Sequence, residues 1–224
     1  GDRANVEDQA PKALIGPPSF GEPDFAADMA QLVAIPEYAA MFRAAFPEAQ
    51  NPITQDNEGK AIGAYERTLL TPSPFDAYLA GDAKALSAKE EAGLKKFMDT
   101  GCTACHNGVG VGGMMYQKLG LVKAWPELKD NGRSDVTKNE SEKNFFKVPS
   151  LRNITETGPY LHDGSVVTLE EMVKRMGEYQ LGKQLSDEET SSIVTFLKSL
   201  KGELPKDYIK APKLPEGGPD VPKA

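Results

Sequence analysis

The run Cys102-Thr103-Ala104-Cys105-His106 puts two thiols one helical turn apart and an imidazole directly after them. That spacing lets both thiols add across the two vinyl groups on one edge of a haem, leaving the histidine beneath the iron. Two other chemistries use parts of the same set. A redox dithiol shares the Cys-x-x-Cys spacing but wants a βαβ setting and a helix N-terminus that lowers the thiol pKa, whereas this pair follows a helix and precedes glycines. Zinc could draw on Cys102, Cys105, His106 and His162, which are all the cysteines and histidines of the chain. Adjacent Cys105 and His106 are awkward tetrahedral ligands. Covalent haem attachment is therefore the expected chemistry, with His106 as one axial ligand.

A second axial ligand of the methionine type would raise the potential relative to histidine. The chain offers seven methionines. Met29 and Met41 belong to early helices, and Met98 and Met172 fall on apolar helix faces, where core filling is the simpler role. Met176, followed by Gly177 and placed shortly before a final amphipathic run, is favoured. Met114 and Met115 also qualify, because the short chain from His106 spans roughly 25–30 Å when extended.

The elements that must position these residues read as mainly helical. Residues 1–23, rich in Pro and Gly, suggest an extended segment. Residues 24–82 suggest a small helical segment: apolar residues recur at helical steps from Phe25 to Val33, a second run starts at Pro36, and a third spans about Gln55 to Leu70. Residues 83–204 suggest a cytochrome c-like helical domain with long haem-wrapping loops. Its helices are announced by capping boxes at Ser87/Glu90, Thr168/Glu171 and Ser186/Glu189. The long Gly-rich stretch from Asn107 to Asn153 reads mostly as loop, with few or no strands. The Pro-rich tail, 205–224, favours extended structure.

Composition narrows the partners. A net charge of −7 argues against nucleic acid, which rewards clustered Lys and Arg. No apolar run approaches the roughly 20 residues that span a bilayer. Two cysteines in one short stretch cannot build a disulfide framework.

Four ordered motifs, Gly101-Cys-Thr-Ala-Cys-His106, Val148-Pro-Ser-Leu-Arg-Asn153, Gly158-Pro-Tyr-Leu-His-Asp-Gly164 and Met176-Gly-Glu-Tyr-Gln-Leu-Gly182, resemble the C-terminal haem domain of bacterial di-haem cytochrome c peroxidases. Upstream, Ile35-Pro-Glu-Tyr38, Ala45-Phe-Pro47, Asp56-Asn57-Glu-Gly-Lys-Ala-Ile62 and Phe75-Asp-Ala-Tyr-Leu-Ala-Gly-Asp82 resemble the segment preceding that domain. The resemblance implies an electron-transferring haem c with His106 proximal and Met176 distal. It implies a small cytochrome c or copper protein as donor, a periplasmic location and, as a further expectation, a homodimer. It makes His162 a residue near the haem, although an ordinary turn histidine would look the same in sequence. Thr157 and Pro159 match positions whose backbone oxygens bind Ca²⁺ in the family.

The family's second haem, which reduces hydrogen peroxide to water, has no Cys-x-x-Cys-His motif here, because the chain holds two cysteines. The first ten residues resemble the point where the family's chain leaves the peroxide-reducing domain, so a fragment of a di-haem peroxidase is the expectation and a self-contained single-haem carrier or electron-transfer subunit the alternative. Gln9 matches a family glutamine lining the peroxide pocket. Glu22 is the candidate for its acidic partner, at longer spacing than usual; a solvated carboxylate before a helix N-terminus is the simpler account of it.

Overall fold

The computed structural model describes residues 2–17, 19–126, 128–213 and 215. The described residues divide into two compact units, residues 71–203 and residues 2–70 together with the described residues from 204 onward.

In the unit containing residues 2–70, four helices follow one another: α1 (Val6–Ile15), α2 (Phe25–Val33), α3 (Pro36–Ala45) and α4 (Gln55–Glu66). Helix α1 corrects the expected extended segment of residues 1–23. Asn5 caps it by accepting from the Asp8 N–H at 2.9 Å, and Glu7 and Asp8 in the first turn suit the positive end of the helix dipole. Pro11 sits inside this helix, which local rules disfavour because proline removes a backbone donor. Tertiary packing overrides the rule. Helix α4 passes so close that a Cβ on Gly59 would lie 2.4 Å from the Glu7 carbonyl oxygen and 3.1 Å from Pro11 Cγ. The carbonyl that Pro11 cannot satisfy thus faces a bare glycine backbone. Helix α4 ends at Glu66, short of the expected Leu70. Beyond Pro205 the described tail begins with a turn, in which the N–H groups of Tyr208 and Ile209 reach the Pro205 carbonyl. Pro18, Pro219 and Pro222, part of the Pro-rich readings, lie outside the described residues.

The unit of residues 71–203 starts earlier than the expected boundary at 83. It includes α5 (Pro74–Leu79), whose cap Ser73 donates both its N–H and its hydroxyl to Asp76 Oδ2 at 2.8 and 2.7 Å. Then come α6 (Ala88–Thr100), the one-turn α7 (Ser134–Thr137), α8 (Leu169–Arg175), a π-helical turn Met176–Gln180, and α9 (Asp187–Lys198). Two three-residue strands, β1 (Tyr116–Lys118) and β2 (Phe145–Lys147), pair antiparallel with Gln117 opposite Phe146. Capping boxes open α6 and α9 as expected. Thr168 caps α8 by accepting from the Glu171 N–H at 3.2 Å.

Helices α6 and α9 meet at Gly93, where a Cβ would stand 2.2 Å from the Ser192 carbonyl oxygen, so only glycine permits this crossing. Around it lie Phe196, Ile193 and Leu200, each at most 1% exposed. Phe75 and Phe97 set their rings 5.3 Å from that of Phe196. Burying side chains of this size stabilises by about 1.5–3 kcal/mol each.

Candidate functional site

Helix α6 stops because Gly101 adopts a left-handed conformation, φ 102°, that favours glycine. A tight 3₁₀ turn, Cys102–Ala104, follows, and the Cys102 carbonyl accepts from the His106 N–H at 2.9 Å. Both cysteines and the histidine are therefore carried on one turn fixed to the end of α6.

The next loop is held from the side by residues 148–152. Gly113 N–H donates to the Val148 carbonyl (2.9 Å), Ser150 Oγ to the Gly110 carbonyl (2.6 Å), Leu151 N–H to the Val111 carbonyl (3.2 Å) and Arg152 Nε to the Val109 carbonyl (2.6 Å). Gly112, at φ 124°, has no room for a side chain: its Cβ would fall 2.1 Å from the Pro149 carbonyl oxygen and 3.1 Å from His106 Nδ1. His106 Nδ1 is buried beside the Val111 and Pro149 backbone, without a hydrogen bond of good geometry. Burial lowers the imidazole pKa, with the Val111 and Pro149 backbone opposing it, so the ring is neutral at pH 7 and can offer a nitrogen lone pair.

Cys102, Cys105 and His106 line a largely apolar cavity of about 590 Å³. Met172 and Met176 line the same cavity, as do α9 residues such as Leu197. Burial pushes the Cys102 thiol up to about 11, which disfavours the thiolate that a redox dithiol or a zinc ligand needs. Among the described residues, no three His, Cys, Asp or Glu side chains are grouped to hold a metal ion. An apolar chamber of this size, with two thiols, a neutral histidine and a thioether on its walls, fits a haem. Met114 and Met115 do not line it; they are 77% and 36% exposed. Met172, read from sequence as core filler, does.

Met176 begins the π-helical turn, which is anchored by the loop before it. Gln180 Oε1 accepts from the N–H groups of Gly120 and Leu121 at 2.6 and 3.0 Å, and the Tyr179 carbonyl accepts from Val122 and Lys123. Tyr179 packs against buried Trp125, ring centroids 5.0 Å apart.

His162 also lines the cavity. Its ring stacks on Phe146 at 4.4 Å and its Nε2 lies 3.4 Å from the Asp130 carboxylate. Thr157 and Pro159 line the same cavity. Gln9 and Glu22 belong to the other unit. Gln9 is exposed on α1, while Glu22 is half-buried, its N–H on the Leu14 carbonyl and its carboxylate accepting from Gln31 Nε2 at 3.2 Å. Sequence reading missed Arg152 and Asp76, although Arg152 stands in one of the motifs quoted above.

The cysteine turn, the neutral histidine and the facing α6–α9 pair define a c-type cytochrome unit. Residues 1–84 match the family model for di-haem cytochrome c peroxidase, and residues 90–201 match that for cytochrome c. The chain is 48% identical over 198 residues to the cytochrome c551 peroxidase of Pseudomonas aeruginosa and 44% identical over 196 residues to that of Nitrosomonas europaea, each covering 86% of this chain. Among solved structures it resembles a MauG-like protein associated with microbial copper homeostasis, with a TM-score of 0.76, 29% identity, and coverage of 89% of this chain and 69% of that one. The chain belongs to the di-haem cytochrome c peroxidase family. It spans 56% and 57% of the length of the two peroxidases. The family's cofactor is haem c, and among the described residues no helix is long and apolar enough to cross a membrane.

Proposed function

We propose that this chain is the electron-input part of a di-haem cytochrome c peroxidase. In this reading one haem c is attached through Cys102 and Cys105, with His106 as proximal and Met176 as distal iron ligand. The observation that carries it is the single cavity lined by Cys102, Cys105, His106 and Met176. The haem, when bound, supplies reversible one-electron chemistry. The chain's own residues do the rest: the buried histidine offers a neutral nitrogen, the thioether completes a saturated site, and the apolar walls exclude water. Dispersion contacts to the macrocycle supply part of the unit's packing.

The electrons come from a small cytochrome or copper protein, in the periplasm, and pass to a peroxide-reducing haem carried by sequence outside these 224 residues. Gln9 and Glu22 would then serve peroxide at that second haem, Thr157 and Pro159 would offer backbone oxygens to Ca²⁺, His162 would sit beside the haem, and the whole would form a homodimer. One observation favours a second reading, a single-haem carrier or subunit: the chain has cysteines for one haem only.

Counting haems per polypeptide by intact mass and pyridine haemochrome, on protein isolated from its source, separates the two. Two haems on a longer chain support the peroxidase; one haem on a chain of this length supports the carrier. Met176→Ala is expected to keep the haem attached, lower its potential and open the iron to added ligands. An unchanged potential would remove Met176 from the ligand set and turn attention to Met172.

A further inference from the structure

Among the bonds that hold the loop beyond His106, one comes from a guanidinium that also reaches α5. Arg152 donates Nη1 and Nη2 to the two oxygens of Asp76 at 2.8 and 2.6 Å, and its Nε to the Val109 carbonyl at 2.6 Å. Asp76 is itself fixed, because Ser73 donates to it twice at the start of α5. A continuous path thus runs from α5 through Asp76 and Arg152 to the Val109 carbonyl. From there it follows the loop to Gly112, whose backbone lies against His106 Nδ1. The pair is partly shielded, with 22% of the Arg152 side chain and 34% of the Asp76 side chain exposed. Three of the five N–H groups of a planar fork are used in fixed directions, which a lysine ammonium cannot reproduce.

We propose that Arg152 and Asp76 are positioning residues for the axial histidine, fixing the plane of the His106 imidazole by locking the loop that backs it. The inference rests on the reading of His106 as an iron ligand. Neither residue lines the cavity, so each acts through the Val109–Gly112 backbone and not by touching the cofactor. Outer-shell groups of this kind orient a ligating histidine and raise its basicity.

The test uses the full-length, haem-loaded protein with Arg152→Lys, Asp76→Asn and the double variant. Haem content, the low-spin electron paramagnetic resonance signal and the reduction potential are measured beside thermal stability. Arg152→Lys is expected to keep its covalent haem, shift the g-values that report the imidazole plane, and raise the potential, because a less firmly oriented imidazole is a weaker donor. Asp76→Asn should move both quantities the same way by less, and the double variant should go no further than Arg152→Lys alone. Unchanged g-values and potential in both single variants, whatever happens to thermal stability, would overturn the proposal and leave the pair a structural brace. Independent, additive shifts would overturn it as well. If Arg152→Lys does not accumulate, Asp76→Asn alone carries the same decision. A parent protein without covalent haem would sink the underlying reading and the proposal with it.

Discussion

Asp76, in the unit of residues 71–203, lies against a guanidinium that holds its carboxyl well below the usual carboxylate range. Asp28 and Glu58, in the unit of residues 2–70, are 9% and 7% exposed and lie beside each other, with Asp28 Oδ2 and Glu58 Oε2 buried without a hydrogen-bond partner. Two buried carboxyls can bond only when one of them is protonated. Burial first, then the charge of Asp28, pushes Glu58 up to about 7, and burial with the nearby charge of Glu22 raises Asp28. The cores differ in the same sense. One is built on Phe75, Phe97 and Phe196; the other has Ala10, Ile35 and Ile53 as its buried hydrophobics among the described residues. The raised carboxyls of the thin-cored unit make its stability fall as pH rises toward neutrality, whereas the depressed Asp76 keeps its charge there.

The largest expected effect comes from Phe196→Ala, which should cost about 3–5 kcal/mol in the unit of residues 71–203. Denaturant unfolding with hydrogen exchange resolved to α6 and α9 checks this, and a loss under 1 kcal/mol would show that the aromatic cluster is not the main support. The pH dependence comes next. Because the folded pKa of Glu58 is raised, the stability it confers is fully present below about 4.5 and is lost as pH rises through about 7. Glu58→Gln should flatten that slope and make the unit about 1–2 kcal/mol more stable than the parent at pH 8. A parent slope of zero between pH 5 and 8 would mean the two carboxyls do not share a proton. The smallest effect is a control on both sides. Lys60 pairs with Asp56 in one unit and Lys95 with Asp99 in the other, each four residues apart on a helix surface. Replacing either lysine by alanine should change stability by no more than about 0.5 kcal/mol.

The parts legible in the sequence were those written locally. Ser87 with Glu90 and Ser186 with Glu189 mark helix starts whatever surrounds them, and the Cys-x-x-Cys-His run marks its turn. Helix α1 was hidden because Pro11 signals a break, and the feature that reverses the signal, the close approach of Gly59, lies in another helix. Buried Glu58 was hidden for a related reason. In sequence it looks like one more solvated charge beside Asp56 and Lys60, and only the fold brings Asp28 to it. Met176 could be ranked above Met114 and Met115 by its place before the last helix, but the exposure of the other two required coordinates. Arg152 stood in a recognisable motif, yet its partner is 76 positions away, beyond any local rule.

The π-helical turn that begins at Met176 holds one residue more than an α-helical turn would. Each residue rotates a helix by about 100°, so deleting any single residue between Met176 and Gln180 would swing Tyr179 off Trp125 or Gln180 off the Gly120 and Leu121 amides. Substitutions in this turn are gradual changes, while an insertion or deletion would be all or none. Its length, more than its composition, is the quantity natural variation has to preserve.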